Sequence, residues 1–291
     1  MPFPSRIAAS SSSRPCRASQ AGPCFRTDAD GRIALTHDWA RIFSEARRFK
    51  ALALQIRHTC VRLIHLGRMP ELTWSGGVAF ASQANGCLRL NSAMWIRATG
   101  RLATCACCGT PGRVELLNGC GVDFLQLCAL PDCEADRWAG YLLDVSPRQS
   151  ASAPGKTVPP AAWPALPEGS ISLCHDDTDE ILAAFLATLA GAGLSFVARL
   201  QTPEVVHVRE LNPQRVFLQR DVLTLQAGPA TLQLGLAAVR SLALHFSATH
   251  GPQLHLLGAT GALWLTLAAP AGVSGATHWL AALRAAFPRH L

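Results

Sequence analysis

His207 lies in the segment EVVHVREL, residues 204–211. In an extended chain side chains alternate, so Val205, His207 and Arg209 share one face while Val206 and Val208 share the other. A neutral imidazole beside a guanidinium on one sheet face has the chemistry to ligate an iron and to meet a carboxylate. The same pair reads equally as polar residues of an ordinary strand, and the residue types alone leave both readings open. Arg220 follows in RVFLQRDVLTLQAG (215–228), a run expected to pair with the His207 strand. A second group is Cys105-Ala106-Cys107-Cys108, with Cys120, Cys128 and Cys133 downstream. Thiolates so grouped could hold zinc or an iron–sulfur cluster. Only one C-x-x-C spacing is present, however, and cysteine on a strand acts as a small apolar residue. No phosphate-binding loop, dinucleotide fingerprint or nucleophile elbow is found.

The elements that position these groups follow from composition and punctuation. Of 291 residues, 49% are hydrophobic and only 15% charged, which allows a large core and excludes global disorder. The net charge of +7 is almost wholly arginine, since lysine occurs only at Lys50 and Lys156. This balance suits anionic partners. The arginines are scattered and the strands lack a stacking platform of aromatics, so nucleic acid is not expected as a partner. No apolar stretch is long enough for membrane insertion. Eleven cysteines, ten of them before residue 134, do not form a secreted disulfide framework. A reducing, cytoplasmic compartment is expected.

Residues 1–27 hold four arginines, no acid and a serine run, and read as a disordered tail. Residues 146–169 are rich in Pro, Ser and Ala and read as a linker between halves at 28–145 and 170–291. The halves end alike. RVELLNGCGVDFLQLCALP (113–131) and QLHLLGATGALWLTLAAP (253–270) each write an apolar run, a glycine turn, a second apolar run and a proline. Leu116, Leu117, Gly121 and Leu127 correspond to Leu256, Leu257, Gly261 and Leu267, and Trp138 corresponds to Trp279 one residue out of step.

The second half is expected to open with a helix capped by Asp177, with Glu180 at its third position, a stripe of Ile181, Leu182, Phe185, Leu186 and Leu189, and Gly191 and Gly193 at its end. Five extended runs, the closing hairpin and a final helix carrying Trp279, Leu280, Leu283 and Phe287 follow. The first half is expected to have a helical region between His37 and Leu66 ending at Gly67, then extended runs, the hairpin, and a helix near residues 132–143. The fold class is α+β: two structurally repeated halves, each an antiparallel sheet with packed helices.

The same stretches carry a family resemblance. VVHVRELNPQRVFLQRDVLTLQAGPATLQLGL, the closing pattern from Leu254 to Trp279, and in the first half HDWARIF, LGRMPELTWSGGVAFASQANG and CLRLNSAMW with Arg89 and Trp95 six residues apart are similar to segments of the haemin-degrading and haem-trafficking proteins of bacterial haem uptake, in their two-repeat form. The likeness runs over most of residues 34–290 and marks a divergent member. It departs at Thr73-Trp74-Ser75 and in a shortening between Gly86 and Leu88. What the resemblance implies is haem as the bound group, with His207 as the axial iron ligand and Arg209, Arg220 and Arg89 on the propionates. It further implies haem traffic or oxidative, haem oxygenase-like degradation during iron transport, with a haem importer or an electron donor as further partners. Two other classes stay open: a haem-free scaffold that serves as an interaction module, and a thiol-ligated metal protein using the Cys105–Cys108 cluster.

Overall fold

The computed structural model describes residues 27–58, 60–83, 85–102, 112–147, 163–173 and 178–288. In the first half these form β1 (Ile33–Ala34), α1 (Trp39–Ala46), β2 (Leu52–His58), β3 (Val61–Gly67), β4 (Thr73–Ser75), β5 (Val78–Gln83), β6 (Gly86–Asn91), β7 (Trp95–Arg101), β8 (Arg113–Asn118), β9 (Asp123–Ala129) and α2 (Ala135–Asp144). In the second half they form β10 (Ile171–Leu173), α3 (Thr178–Gly191), β11 (Phe196–Gln201), β12 (Val205–Leu211), β13 (Arg215–Gln219), β14 (Val222–Ala227), β15 (Ala230–Gly235), β16 (Ser241–Ser247), β17 (Gly251–Leu257), β18 (Leu263–Ala268) and α4 (Val273–Ala286). Single 3-10 turns precede β7 and β16.

The helical region expected between His37 and Leu66 is corrected. Asp38 caps α1 by accepting from the Arg41 amide at 3.0 Å, and Ile42, Phe43 and Ala46 are buried, but the helix stops at Ala46. The chain then folds into the β2–β3 hairpin, in full register from Leu52↔Gly67 to His58↔Val61. Leu52, Leu54, Ile56, Val61 and Leu63 alternate at period two, and pairing with β9 and β15 outweighs the helix propensity of the Leu, Ala, Gln and Arg residues. Near the second-half helix, α3 buries Leu182, Phe185, Leu186 and Leu189 and closes at Gly193, φ +62, where Leu194 N–H donates to Leu189 O. The cap expected at Asp177 lies outside the described residues.

The repeat is visible in detail. The β8–β9 and β17–β18 turns both use a left-handed glycine, Gly121 (φ +75) and Gly261 (φ +73). Both hairpins carry a bulge at the corresponding place, Leu116/Leu117 and Leu256/Leu257. Trp138 and Trp279 are both fully enclosed, and each indole N–H donates to a backbone carbonyl, of Arg101 and of Pro252.

The strands form two nine-stranded antiparallel sheets, in the orders β1-β7-β8-β9-β2-β3-β15-β14-β13 and β10-β16-β17-β18-β11-β12-β6-β5-β4. Each half therefore gives its middle three-stranded meander to the other half's sheet. The joints are β3 against β15 and β12 against β6. The run that carries Arg220 consequently does not pair with the His207 strand, as the sequence reading expected; β13 lies at the edge of the other sheet. The exchanged strands still pack on their own helices. Trp74 of β4 stacks near Phe43 of α1 and Trp95, with ring centroids 6.2 and 6.4 Å apart, and β13 meets α3. One continuous core of buried residues runs through both halves.

Candidate functional site

The joint strands place the residues of interest. Val205, His207, Arg209 and Leu211 are the buried positions of β12, as alternation requires. His207 is 2% exposed and is flanked on the two neighbouring strands by Leu200 and Leu88. Its Nδ1 is buried with no hydrogen-bond partner among the described residues. Burial, reinforced by the Arg209 guanidinium and His65, pushes the His207 pKa down to about 3, so the ring is neutral. His207 lines none of the described cavities.

Arg209 is buried too, and its guanidinium donates to the imidazole of His65 on β3. His65 is held neutral, near pKa 4, by burial and by that positive charge. The two strands occupy equivalent places: His65 pairs opposite Ala230 at the start of β15, and Arg209 opposite Gly86 at the start of β6. The Arg209–His65 contact thus joins equivalent positions of the two repeats, and Leu63 stands where His207 stands. A polar cavity of about 580 Å³ opens beside this contact, lined by Gln83, Asn85, Glu210 and Asn212 among others.

Of the four residues that the resemblance nominates, the fold brings His207 and Arg209 together. Arg89 pairs with Val206 and so projects from the opposite face of the sheet, where it is exposed beside Gln201 and Pro164. Arg220 sits in the β13–β14 turn with φ +55 and is exposed. Cys105, Cys107 and Cys108 lie outside the described residues. Among the described residues no group of three or more His, Cys, Asp or Glu side chains could hold a metal ion.

Sequence reasoning passed over His58. It ends β2 and lines a cleft of about 530 Å³ between the two halves, with Val61, Val122, Phe124, Trp163 and Val222 as apolar walls. Its ring meets Trp163 edge-on at 4.8 Å and Trp264 at 5.1 Å between centroids. Its Nδ1 is buried without a hydrogen-bond partner among the described residues. Burial lowers its pKa, outweighing the pull of Glu204. Arg57 and Arg62 line the same cleft, and also a neighbouring depression of about 400 Å³ that holds Arg32, Arg101 and Arg113. The only signal in the sequence was the pair of arginines flanking the hairpin turn, which paired strands bring opposite one another.

These features define a two-repeat α+β protein with exchanged meanders and with histidines at the joints and between the halves, of which His207 is buried. Solved structures share that architecture. The chain is similar to holo-PhuS, a haem-binding protein from Pseudomonas aeruginosa, at 14% identity and TM-score 0.70, covering 84% of this chain and 82% of that one. It matches apo-PhuS at 13% identity and TM-score 0.72, covering 88% and 86%. It also matches ChuS, an E. coli haem oxygenase, at 12% identity and TM-score 0.70, covering 87% and 89%. No protein-family model and no curated protein matches the chain. Among the described residues no helix is long and apolar enough to cross a membrane.

Proposed function

We propose that this chain binds haem in the cytoplasm, and either hands it on or opens its ring during haem-iron uptake. The observation that carries the reading is the shared architecture. The strand-exchanged double repeat matches PhuS and ChuS over more than four-fifths of each chain, and those proteins are described as haem-binding and as a haem oxygenase. Haem would supply the redox iron, and oxidative opening would draw oxygen and electrons from outside, from an electron donor as partner. The chain's part is a neutral imidazole, a dry apolar wall and arginines for the propionates. A haem importer is the natural source of the cargo.

The residues fit haem unevenly. His207 is suited to ligation in being neutral with an unpartnered nitrogen. Its surroundings do not fit a macrocycle, because it is 2% exposed in a row with Leu88 and Leu200 on the neighbouring strands, and no described cavity reaches it. That burial favours a second reading, in which the chain keeps the scaffold as a haem-free interaction module. A haemin titration followed by absorbance separates the two. Saturable growth of a shifted Soret band near one equivalent supports haem binding. An unsaturated, linear response supports the scaffold. A reductant added under air then distinguishes a carrier, whose Soret band persists, from a degrading enzyme, whose Soret band bleaches.

A further inference from the structure

We propose that the cleft between the halves, headed by His58, is a binding site for a flat aromatic molecule with carboxylate arms. The inference rests on the haem reading for its ligand and deepens it by placing haem at His58 rather than His207.

The cleft has the size and lining such a molecule needs. Its volume of about 530 Å³ falls within the roughly 300–1,000 Å³ of small-molecule sites. Val61, Val222, Phe124 and Trp163 give it apolar sides. The His58 side chain lines the cleft, and its ring is held between Trp163 and Trp264. An imidazole held at a cleft wall between two indoles can serve an iron centre as an axial ligand through a ring nitrogen that faces the cleft.

The charge pattern supplies the arms' partners. Arg57 is satisfied by Asp123 at 2.6 Å. In the adjoining depression Glu115 serves both Arg113 (2.6 Å) and Arg101 (3.6 Å). Glu204, the other acid of the cleft, is held by the Asn118 amide at 2.9 Å. Arg62 has no carboxylate partner among the described residues, and it stands where the cleft meets the arginine-lined depression. Positive charge there exceeds the acids available, so an anion entering from the cleft finds Arg62 first. The planar guanidinium can grip a carboxylate through two parallel hydrogen bonds.

The test titrates haemin and metal-free protoporphyrin into the native chain and into His58→Ala, His58→Gln, Arg62→Gln and His207→Ala, followed by absorbance. Circular dichroism and a thermal melt of each variant report its fold. Both His58 variants are expected to move the haemin Soret band and weaken haemin by about tenfold or more, as loss of a metal ligand does. They should leave metal-free protoporphyrin nearly unchanged. Arg62→Gln is expected to weaken both porphyrins to a similar degree, and His207→Ala to keep the native spectrum. If haemin binds but folded His58 and Arg62 variants match the native chain, the placement is overturned and the haem reading stands. If the native chain does not bind haemin, both are overturned.

Discussion

Replacing His207 by Leu tests whether this imidazole behaves as a sealed core group. The repeat already places Leu63 at the equivalent position of β3, so a leucine side chain suits this strand and face. The sign of the pH effect follows from the shift. The folded-state pKa is about 3, below the unfolded value of about 6.5. Over that window the unfolded chain takes up a proton that the folded chain refuses, so stability falls as pH drops below about 6.5. Between pH 7 and pH 5 nearly one proton is involved, which costs about 2 kcal/mol at 1.36 kcal/mol per unit. At roughly 2–4 °C per kcal/mol for a chain of this size, that is about 4–8 °C in melting temperature. His65 and His255, also held near pKa 4, contribute to acid sensitivity in both proteins. The difference between native and variant isolates His207. Thermal melts at pH 7 and pH 5 should show His207→Leu losing less stability than the native chain by that amount. Equal losses in the two proteins would refute the reasoning.

Two further substitutions probe the frame around the site. Gly86 begins β6 with φ +150, and a Cβ there would lie 1.9 Å from the Val208 carbonyl oxygen; Gly86→Ala should cost about 2–3 kcal/mol in urea unfolding, because backbone cannot swing aside as a side chain can. Tyr141 is fully buried and its hydroxyl donates to the Ile42 carbonyl at 3.1 Å, tying α2 to α1; Tyr141→Phe should lower stability by about 1 kcal/mol in the same assay, and an unchanged midpoint would show that the bond contributes nothing.

The duplicated hairpins were legible because they are local. An apolar run, a left-handed glycine and a second run fix register within twenty residues, and Gly121 and Gly261 fill the same conformation. The strands from Phe196 to Gly235 were legible for the same reason, through their turns. The β2–β3 hairpin was not, because Leu, Ala, Gln and Arg favour a helix and only pairing with β9 and β15 decides otherwise. Meander exchange was hidden as well. The β12–β6 joint links residues more than a hundred positions apart, and alternation says which face a strand buries but not which strand lies beside it. The same limit governs the site. Alternation correctly put His207 and Arg209 on one face, yet it could not show that this face would be buried in the core, leaving His207 2% exposed. Nor could it show that His58 would line a cleft built partly by the other half.

The central claim, that the chain binds haem, is tested most directly by incubating it with excess haemin, separating free ligand by gel filtration, and measuring haem as its pyridine complex in the protein peak. The account predicts about one haem per chain, retained through the column. A protein peak carrying no haem would contradict it and leave a shared fold without a shared ligand.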